Sequence, residues 1–336
     1  MLPNLKSMEL ELTDRKILNI LQSDFPIAKH PFLEIADITG IKEDEAIDRI
    51  LRMKSGKIIR QISAIFDSHN IGYKSTLAAF KVADKSADSA AEIINSHSGV
   101  SHNYLRNHKY NIWFTITLPS EYSLEQEIKK LSEKSGAEDY LILPTLKLYK
   151  IGVNFDMTGA DDASSFRFFS HEDFKKDSEI KISEFEKACI RELQKDIEIT
   201  HEPFKNMSEV LGISQEKLLE TVKNFISERK MRRFACVLYH QKAGFSYNLM
   251  GIWKTNNEEA DKNGKIMSSV KEVSHCYLRP VYPGRWEYNI FTMIHAKSKE
   301  EAWNIMDKIS SLTGLMDFGA LESTKEFKKV RVKYYV

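Results

Sequence analysis

The chain repeats itself. At an offset of 172 residues, Pro31-Phe32 falls on Pro203-Phe204, Gly40-Ile41 on Gly212-Ile213, Arg60 on Arg232 and Gly72 on Gly244. One residue further along, Ser101-His102-Asn103-Tyr104-Leu105-Arg106 falls on Ser274-His275-Cys276-Tyr277-Leu278-Arg279, with five of six residues identical. After an insertion in the second copy, Tyr110-Asn111-Ile112 meets Tyr288-Asn289-Ile290. Self-similarity at a fixed period decides architecture before any local pattern does. The 336 residues therefore form two diverged copies of one unit. At roughly 100–200 residues per domain, one compact core is excluded.

Each copy opens with apolar residues at helical spacing: Ile17, Ile20 and Leu21, then Phe32, Ile35, Ala36 and Ile38 before Gly40. Ile47, Ile50 and Leu51 give a third helix its apolar face, and Ile58, Ile59 and Ile62 begin an extended segment. Three helices and an extended segment predict a winged helix-turn-helix. The rest of copy one alternates: strand 77–82, helix 89–96, strands 99–106 and 110–118, helix 124–135, strand 139–147. That is a ferredoxin-like βαββαβ order. Copy two repeats it with strand 248–254, a helix around 264–271, strands 273–280 and 286–295, helix 300–312 and a last strand within 325–336. The fold class is α+β, a tandem repeat of the two modules. The spans are helix-turn-helix 1 at 10–66, ferredoxin-like domain 1 at 67–153, a linker at 154–182, helix-turn-helix 2 at 183–238 and ferredoxin-like domain 2 at 239–336. The linker is marked by aperiodic Asp, Gly and Ser residues.

Composition removes several function classes. With 49 basic against 48 acidic residues the net charge is +1, without the basic excess of a protein devoted to phosphate neutralisation. Cys189, Cys236 and Cys276 are far apart, so neither a disulfide framework nor a zinc knuckle can be written. No apolar run approaches the ~18 residues of a membrane span, and a reducing cytoplasmic location is expected. No P-loop, G-x-S-x-G, H-E-x-x-H or dinucleotide-binding glycine pattern occurs. The helix over Lys42–Arg49 carries four acids against two bases, and its counterpart from Gln215 is neutral. Nucleic acid is thus a disfavoured partner, although Lys230, Arg232 and Arg233 keep that reading open.

The chemistry concentrates in the repeated Ser-His-x-Tyr-Leu-Arg segment. On a strand, alternation sends His102, Tyr104 and Arg106 to one face and Ser101, Asn103 and Leu105 to the other; His275, Tyr277 and Arg279 behave alike. A strand packed on helices turns Leu or Val to its core. A proton donor, a phenol and a guanidinium in line call for solvent or an anionic ligand. A strand facing water or an oligomer interface would carry the same residues, but recurrence in both copies counts against that. Beside the triplets lie His108, Lys109 and Tyr110, and in copy two Tyr282, Arg285, Trp286 and Tyr288. Aromatic faces beside guanidinium groups suit a flat ligand bearing several carboxylates. His295 faces the same site or is a core histidine.

A helix-turn-helix followed by βαββαβ resembles the Lrp/AsnC transcription regulators. Within that superfamily, Val100–Arg106 with Tyr110–Thr115, and Val273–Pro280 with Trp286–His295, look like the two subunits of the sirohaem decarboxylases. The likeness covers nearly the whole chain and implies a fusion of a normally heterodimeric enzyme. It implies a carboxy-lyase that removes the carboxyl groups of the acetate side chains at ring positions 12 and 18. The product would be 12,18-didecarboxysirohaem, leading to haem b or haem d1. No separate cofactor is implied, since the iron tetrapyrrole substrate brings its own metal. Under this resemblance His102 and His275 are proton donors, or one of them is the axial ligand of the substrate iron. Tyr104 and Tyr277 orient the substrate, Arg106 and Arg279 anchor carboxylates together with Lys109, Lys271 and Arg285, and Trp286 and His295 are further substrate-binding residues. The fused copies would form a pseudo-dimer within the chain, with a homodimer of chains left open. An Lrp-type ligand-responsive regulator, a haem sensor and a non-catalytic tetrapyrrole carrier are the competing readings.

Overall fold

The computed structural model describes residues 9–23, 25–152, 181–239 and 247–336. Almost all of the expected linker, and Gly244 of the repeat, lie outside them. Each copy starts with three helices: α1 (Leu12–Ser23), α2 (Pro31–Thr39) and α3 (Glu43–Ser55), then α6 (Glu184–Leu193), α7 (Pro203–Leu211) and α8 (Gln215–Ser227). The matched Pro and Gly residues explain themselves. Pro31 and Pro203 open helices at a position needing no N–H donor, and Gly40 and Gly212 close them at φ 73° and 66°.

The expected wing takes another form. The extended segments β1 (Ile59–Phe66) and β7 (Met231–Leu238) do not fold back into hairpins within their own copies; they pair with each other, antiparallel, Ser63 opposite Ala235 and Ala64 opposite Phe234. A lone strand leaves a row of backbone groups unpaired, and the other copy satisfies them. This ribbon joins both helix-turn-helix units around one core, where Phe25, Phe204 and Phe234 stack edgewise or tilted at 5.1–6.3 Å.

The remaining strands are β2 (Tyr73–Lys81), β3 (Val100–Arg106), β4 (Ile112–Pro119), β5 (Asp139–Leu143), β6 (Lys147–Ile151), β8 (Tyr247–Trp253), β9 (Val273–Leu278), β10 (Ile290–Ala296) and β11 (Phe318–Lys329). They run in the order β5-β2-β4-β3-β11-β8-β10-β9-β6. Helices α4 (Ala87–Ser96), α5 (Leu124–Ser135), α9 (Ala260–Ser269) and α10 (Lys299–Thr313) cover one face of each half.

Two strand expectations need correction. The strand expected at 139–147 is two strands. Pro144 interrupts it; β5 pairs with β2 of its own half, while β6 crosses to pair with β9 of the other. The last strand lies at Phe318–Lys329 rather than within 325–336, and it crosses too: Phe318–Glu322 pair with β8, Ser323–Lys329 with β3. Each half thus lends the other its closing strand. Reciprocal polar contacts fasten the exchange. Arg106 Nη1 donates to the Leu321 carbonyl at 2.7 Å, and Arg279 Nη1 donates to that of Leu143. Lys328 and Lys150 cap the C-terminal carbonyls of α4 and α9, at 2.7 Å from Asn95 O and 2.9 Å from Val270 O. Tyr149 of β6 lies so close to α9 that a Cβ on Gly264 would fall 2.2 Å from its ring. The faces turned away from the helices meet in a core of Trp113, Trp286, Phe291, Met250, Ile252, Leu141, Leu143 and Leu321, drawn from both halves.

Candidate active site

On β3, Asn103 and Leu105 lie on the helix-covered face, where Asn103 donates to Asn95 of α4. His102, Tyr104 and Arg106 face the other way. Tyr104 sits opposite Trp113, and Tyr277 opposite Phe291, both rings of the inter-sheet core. The two triplets therefore look toward the interior shared by the halves. His102 and Tyr104 rings stack with centroids 6.4 Å apart, and His275 and Tyr277 at 6.0 Å.

The expectation that Ser101 points away from His102 fails, because a bulge between Val100 and His102 breaks the alternation. Ser101 Oγ lies 3.0 Å from His102 Nδ1, and Ser274 Oγ 2.8 Å from His275 Nδ1. Each histidine thus has a serine fixing its ring and leaving Nε2 for a ligand. The serines belong to the repeated motif, which was the signal available in the sequence; the bulge that puts them to use was not legible there.

Both imidazoles are neutral at pH 7. Burial, with Lys329 and Arg60 nearby, pushes His102 down to about 4. Burial, followed by the charges of His295, Arg232, His102 and Arg233, pushes His275 down to about 3. Both residues are half-buried. An unfolded histidine takes up its proton near 6.5, so the unfolded chain binds protons the native state refuses. Stability is then complete above ~6.5 and falls as the pH drops toward 4 and 3, by up to ~1.4 kcal/mol per pH unit for each histidine. Urea titrations between pH 7 and 4 should show His102→Gln and His275→Gln flattening that slope. A slope equal to wild type in both would contradict the neutral assignment.

The phenols of Tyr104 and Tyr277 are pushed up, chiefly by burial and for Tyr104 also by Glu326, so both stay protonated donors. Arg106 and Arg279 are buried, each over the ring of its neighbouring tyrosine, and desolvation lowers both to about 10. They lie four residues past the histidines, ~13 Å along the strand, with one guanidinium arm committed to the opposite half. Lys109 is exposed above the Tyr110 ring, and Lys271 is exposed after α9. Arg285 pairs with Asp139, while Trp286, 2% exposed, is inter-sheet core and donates to the Tyr288 carbonyl at 2.7 Å. His295 shares the His275 face two residues beyond Met293, its Nδ1 2.5 Å from Asn248 Oδ1.

The charged groups that act on the histidines are not among the ligand contacts expected from the sequence. They are Lys329 of β11 and Arg60 of β1 at His102, and Arg232 and Arg233 of β7 at His275. Lys329 is the cross-strand neighbour of His102, and its carbonyl accepts from Arg60 Nη2 at 3.0 Å. The 172-residue match of Arg60 with Arg232 was the available signal. Among the described residues no cluster of His, Cys, Asp and Glu could hold a metal ion, and no helix is long and apolar enough to cross a membrane.

Fold and site define a tandem helix-turn-helix and ligand-binding chain. The AsnC-like ligand binding domain family matches residues 70–150 and 242–328, and the siroheme decarboxylase NirDL-like HTH domain family matches 14–60 and 186–232. Siroheme decarboxylase of Hydrogenobacter thermophilus is 36% identical over 95% of this chain and 94% of its own length. Separate subunits match single halves: the alpha subunit of Oleidesulfovibrio alaskensis at 42% over 46% of this chain, and the beta subunit of Methanosarcina barkeri at 40% over 42%, covering 94% and 92% of those subunits. The crystal structure of the siroheme decarboxylase NirDL in complex with an iron-uroporphyrin III analogue superposes with a TM-score of 0.74 at 31% identity, covering 96% of this chain and 95% of that one. The chain belongs to the siroheme decarboxylase family, in the form that carries both halves on one polypeptide.

Proposed function

We propose that this chain is a carboxy-lyase that removes the carboxyl groups of the acetate side chains at positions 12 and 18 of sirohaem, giving 12,18-didecarboxysirohaem. The observation that carries this reading is the serine-held neutral histidine placed once in each half and turned to their shared interior. Each step breaks one C–C bond and releases carbon dioxide. The electron pair left on the methylene carbon delocalises into the macrocycle, and one proton converts it to methyl. The substrate brings the iron and the conjugated ring.

The two histidines differ in a way that divides the labour. Ser274 Oγ also donates to the Met293 carbonyl at 3.1 Å, which uses its only hydrogen. It then accepts from Nδ1–H of His275, leaving Nε2 as a bare lone pair, the form that ligates iron. Among the described residues Ser101 Oγ has His102 as its hydrogen-bond partner, so it is free to donate to Nδ1. When it does, the proton of the neutral ring sits on His102 Nε2, where it can be delivered to carbon. Tyr104 and Tyr277 supply phenolic donors beside each ring.

A duplex-binding regulator is less well supported. The first turn of α3 carries Glu43, Asp44 and Glu45, and Asp44 is held 2.9 Å from His201 of the other helix-turn-helix unit. Anaerobic incubation with sirohaem, followed by mass spectrometry, tests the enzyme directly. The expected trace loses two carbon dioxide units. Sirohaem bound and returned unchanged would replace the enzyme with a carrier or sensor.

A further inference from the structure

We infer that His295 is a third catalytic histidine: it passes a proton to one of the two carbons that lose carbon dioxide, while His102 serves the other. The inference rests on the proposed function and deepens it. Two carboxyl groups leave from different rings of one macrocycle, so two separate carbons need protons, and the division of labour above gives His275 to the iron. No second imidazole of the repeated motif is left for the second proton. Complete turnover then needs both His102 and His295.

Three observations carry it. The first is placement. Ile290, Ile294 and Ala296 of β10 pack in the helix-covered core, so alternation turns Phe291, Met293 and His295 to the face that looks into the shared interior. Met293 stands opposite His275, which puts His295 diagonally across from it, roughly 7–8 Å away. One such step out from an iron held at His275 leads to the edge of the macrocycle, where the acetates are attached. His295 is also the first of the neighbouring charges that act on His275.

The second is the way the ring is held. His295 Nδ1 lies 2.5 Å from Oδ1 of Asn248, its cross-strand partner on β8. A carbonyl oxygen only accepts, so Nδ1 keeps its hydrogen and the ring exchanges its other proton at Nε2. Ser101 and Ser274 likewise hold the rings of His102 and His275 at Nδ1. The third is the difference between the copies. The matched cross-strand pair of copy one is Ser75 and Thr117, and Thr117 Oγ1 donates to Ser75 Oγ at 3.0 Å. Two small hydroxyl residues satisfy the fold there. Copy two has an imidazole in that place, in the half whose repeated histidine is committed to iron.

The step balances. With a proton taken from water, His295 is an imidazolium; as the C–C bond breaks and carbon dioxide leaves, its Nε2–H bond breaks and a C–H bond forms on the methylene carbon. The electron pair of the old C–C bond ends in the new C–H bond. The ring returns to neutral with Nδ1–H still on Asn248.

The full-length chain is incubated anaerobically with sirohaem under single-turnover conditions, and the tetrapyrrole is followed by mass spectrometry. Asn248→Ser/His295→Thr, which installs the pair that copy one carries, should lose one carbon dioxide unit at the wild-type rate and the second at least ~100-fold more slowly. Its Soret spectrum and its affinity for iron uroporphyrin III should match wild type, because His275 is untouched. Far-UV circular dichroism establishes folding; if the double variant does not fold, His295→Gln carries the comparison, with the same trace expected. Two losses within ~3-fold of wild type overturn the inference. An equal slowing of both losses, a shifted Soret band or weakened binding also overturns it, since a ring that holds the substrate or its iron acts on both steps. A wild-type chain that returns sirohaem unchanged removes the enzyme assignment and the inference with it. Two losses in wild type, matched by the variant, remove the inference alone.

Discussion

Replacing His102 with Ala should leave a folded chain whose turnover of sirohaem falls by about 10²–10⁴-fold, the usual contribution of a positioned proton donor. Replacing His275 should cost as much by a different route. Under the proposed division of labour the lone pair on its Nε2 would ligate the substrate iron, so His275→Ala should alter the Soret spectrum of the bound tetrapyrrole, and added imidazole should restore part of it. His102→Ala should keep the wild-type spectrum and answer poorly to imidazole, because a diffusing base does not reproduce a ring held by Ser101. Single-turnover mass spectrometry and absorption spectra together separate the two roles. Activity within ~3-fold of wild type in both variants would remove the histidines from the chemistry, and matching spectra would remove the division between them.

Trp286→Ala should act on stability. The indole is 2% exposed and packs against Trp113 at 5.3 Å and Phe291 at 5.9 Å, across the junction of the halves. Truncating a buried Trp costs ~3–5 kcal/mol through lost transfer energy and the cavity left behind. The midpoint of urea unfolding should drop accordingly, while Trp286→Phe keeps most of the packing and loses less. A chain with unchanged stability and weakened tetrapyrrole binding would return Trp286 to the ligand-facing role that its aromatic neighbourhood suggests in the sequence. Had it been on the ligand wall, it would keep an accessible face. Arg106 and Arg279 read as anion binders by residue type, yet each already spends a donor on a carbonyl of the opposite half.

Much of the architecture was legible because it rests on local pattern. Helical periodicity, the Pro and Gly at the ends of α2 and α7, and the alternation from His102 to Arg106 and from His275 to Arg279 are properties of short segments. The repeat told where each segment recurs. What lay beyond reach were pairings between distant segments. A strand after Gly56 reads the same whether it folds into a hairpin or pairs with its copy, and Asp139–Ile151 reads as one strand until its two ends are found pairing with different halves. Lys230, Arg232 and Arg233 read in the sequence as a basic cluster on a wing, where they keep a nucleic-acid contact open.

The sequence by itself determined the tandem α+β modules, the family and the two serine-histidine motifs, because side-chain spacing and internal repetition are written in one dimension. Only the tertiary structure decided that the halves exchange closing strands, that a bulge turns Ser101 toward His102, and that Arg60, Lys329, Arg232 and Arg233 stand near the histidines. The physical reason is that backbone hydrogen bonds and like-charge proximity depend on which distant strands come together, and any strand of suitable length can satisfy another's unpaired edge.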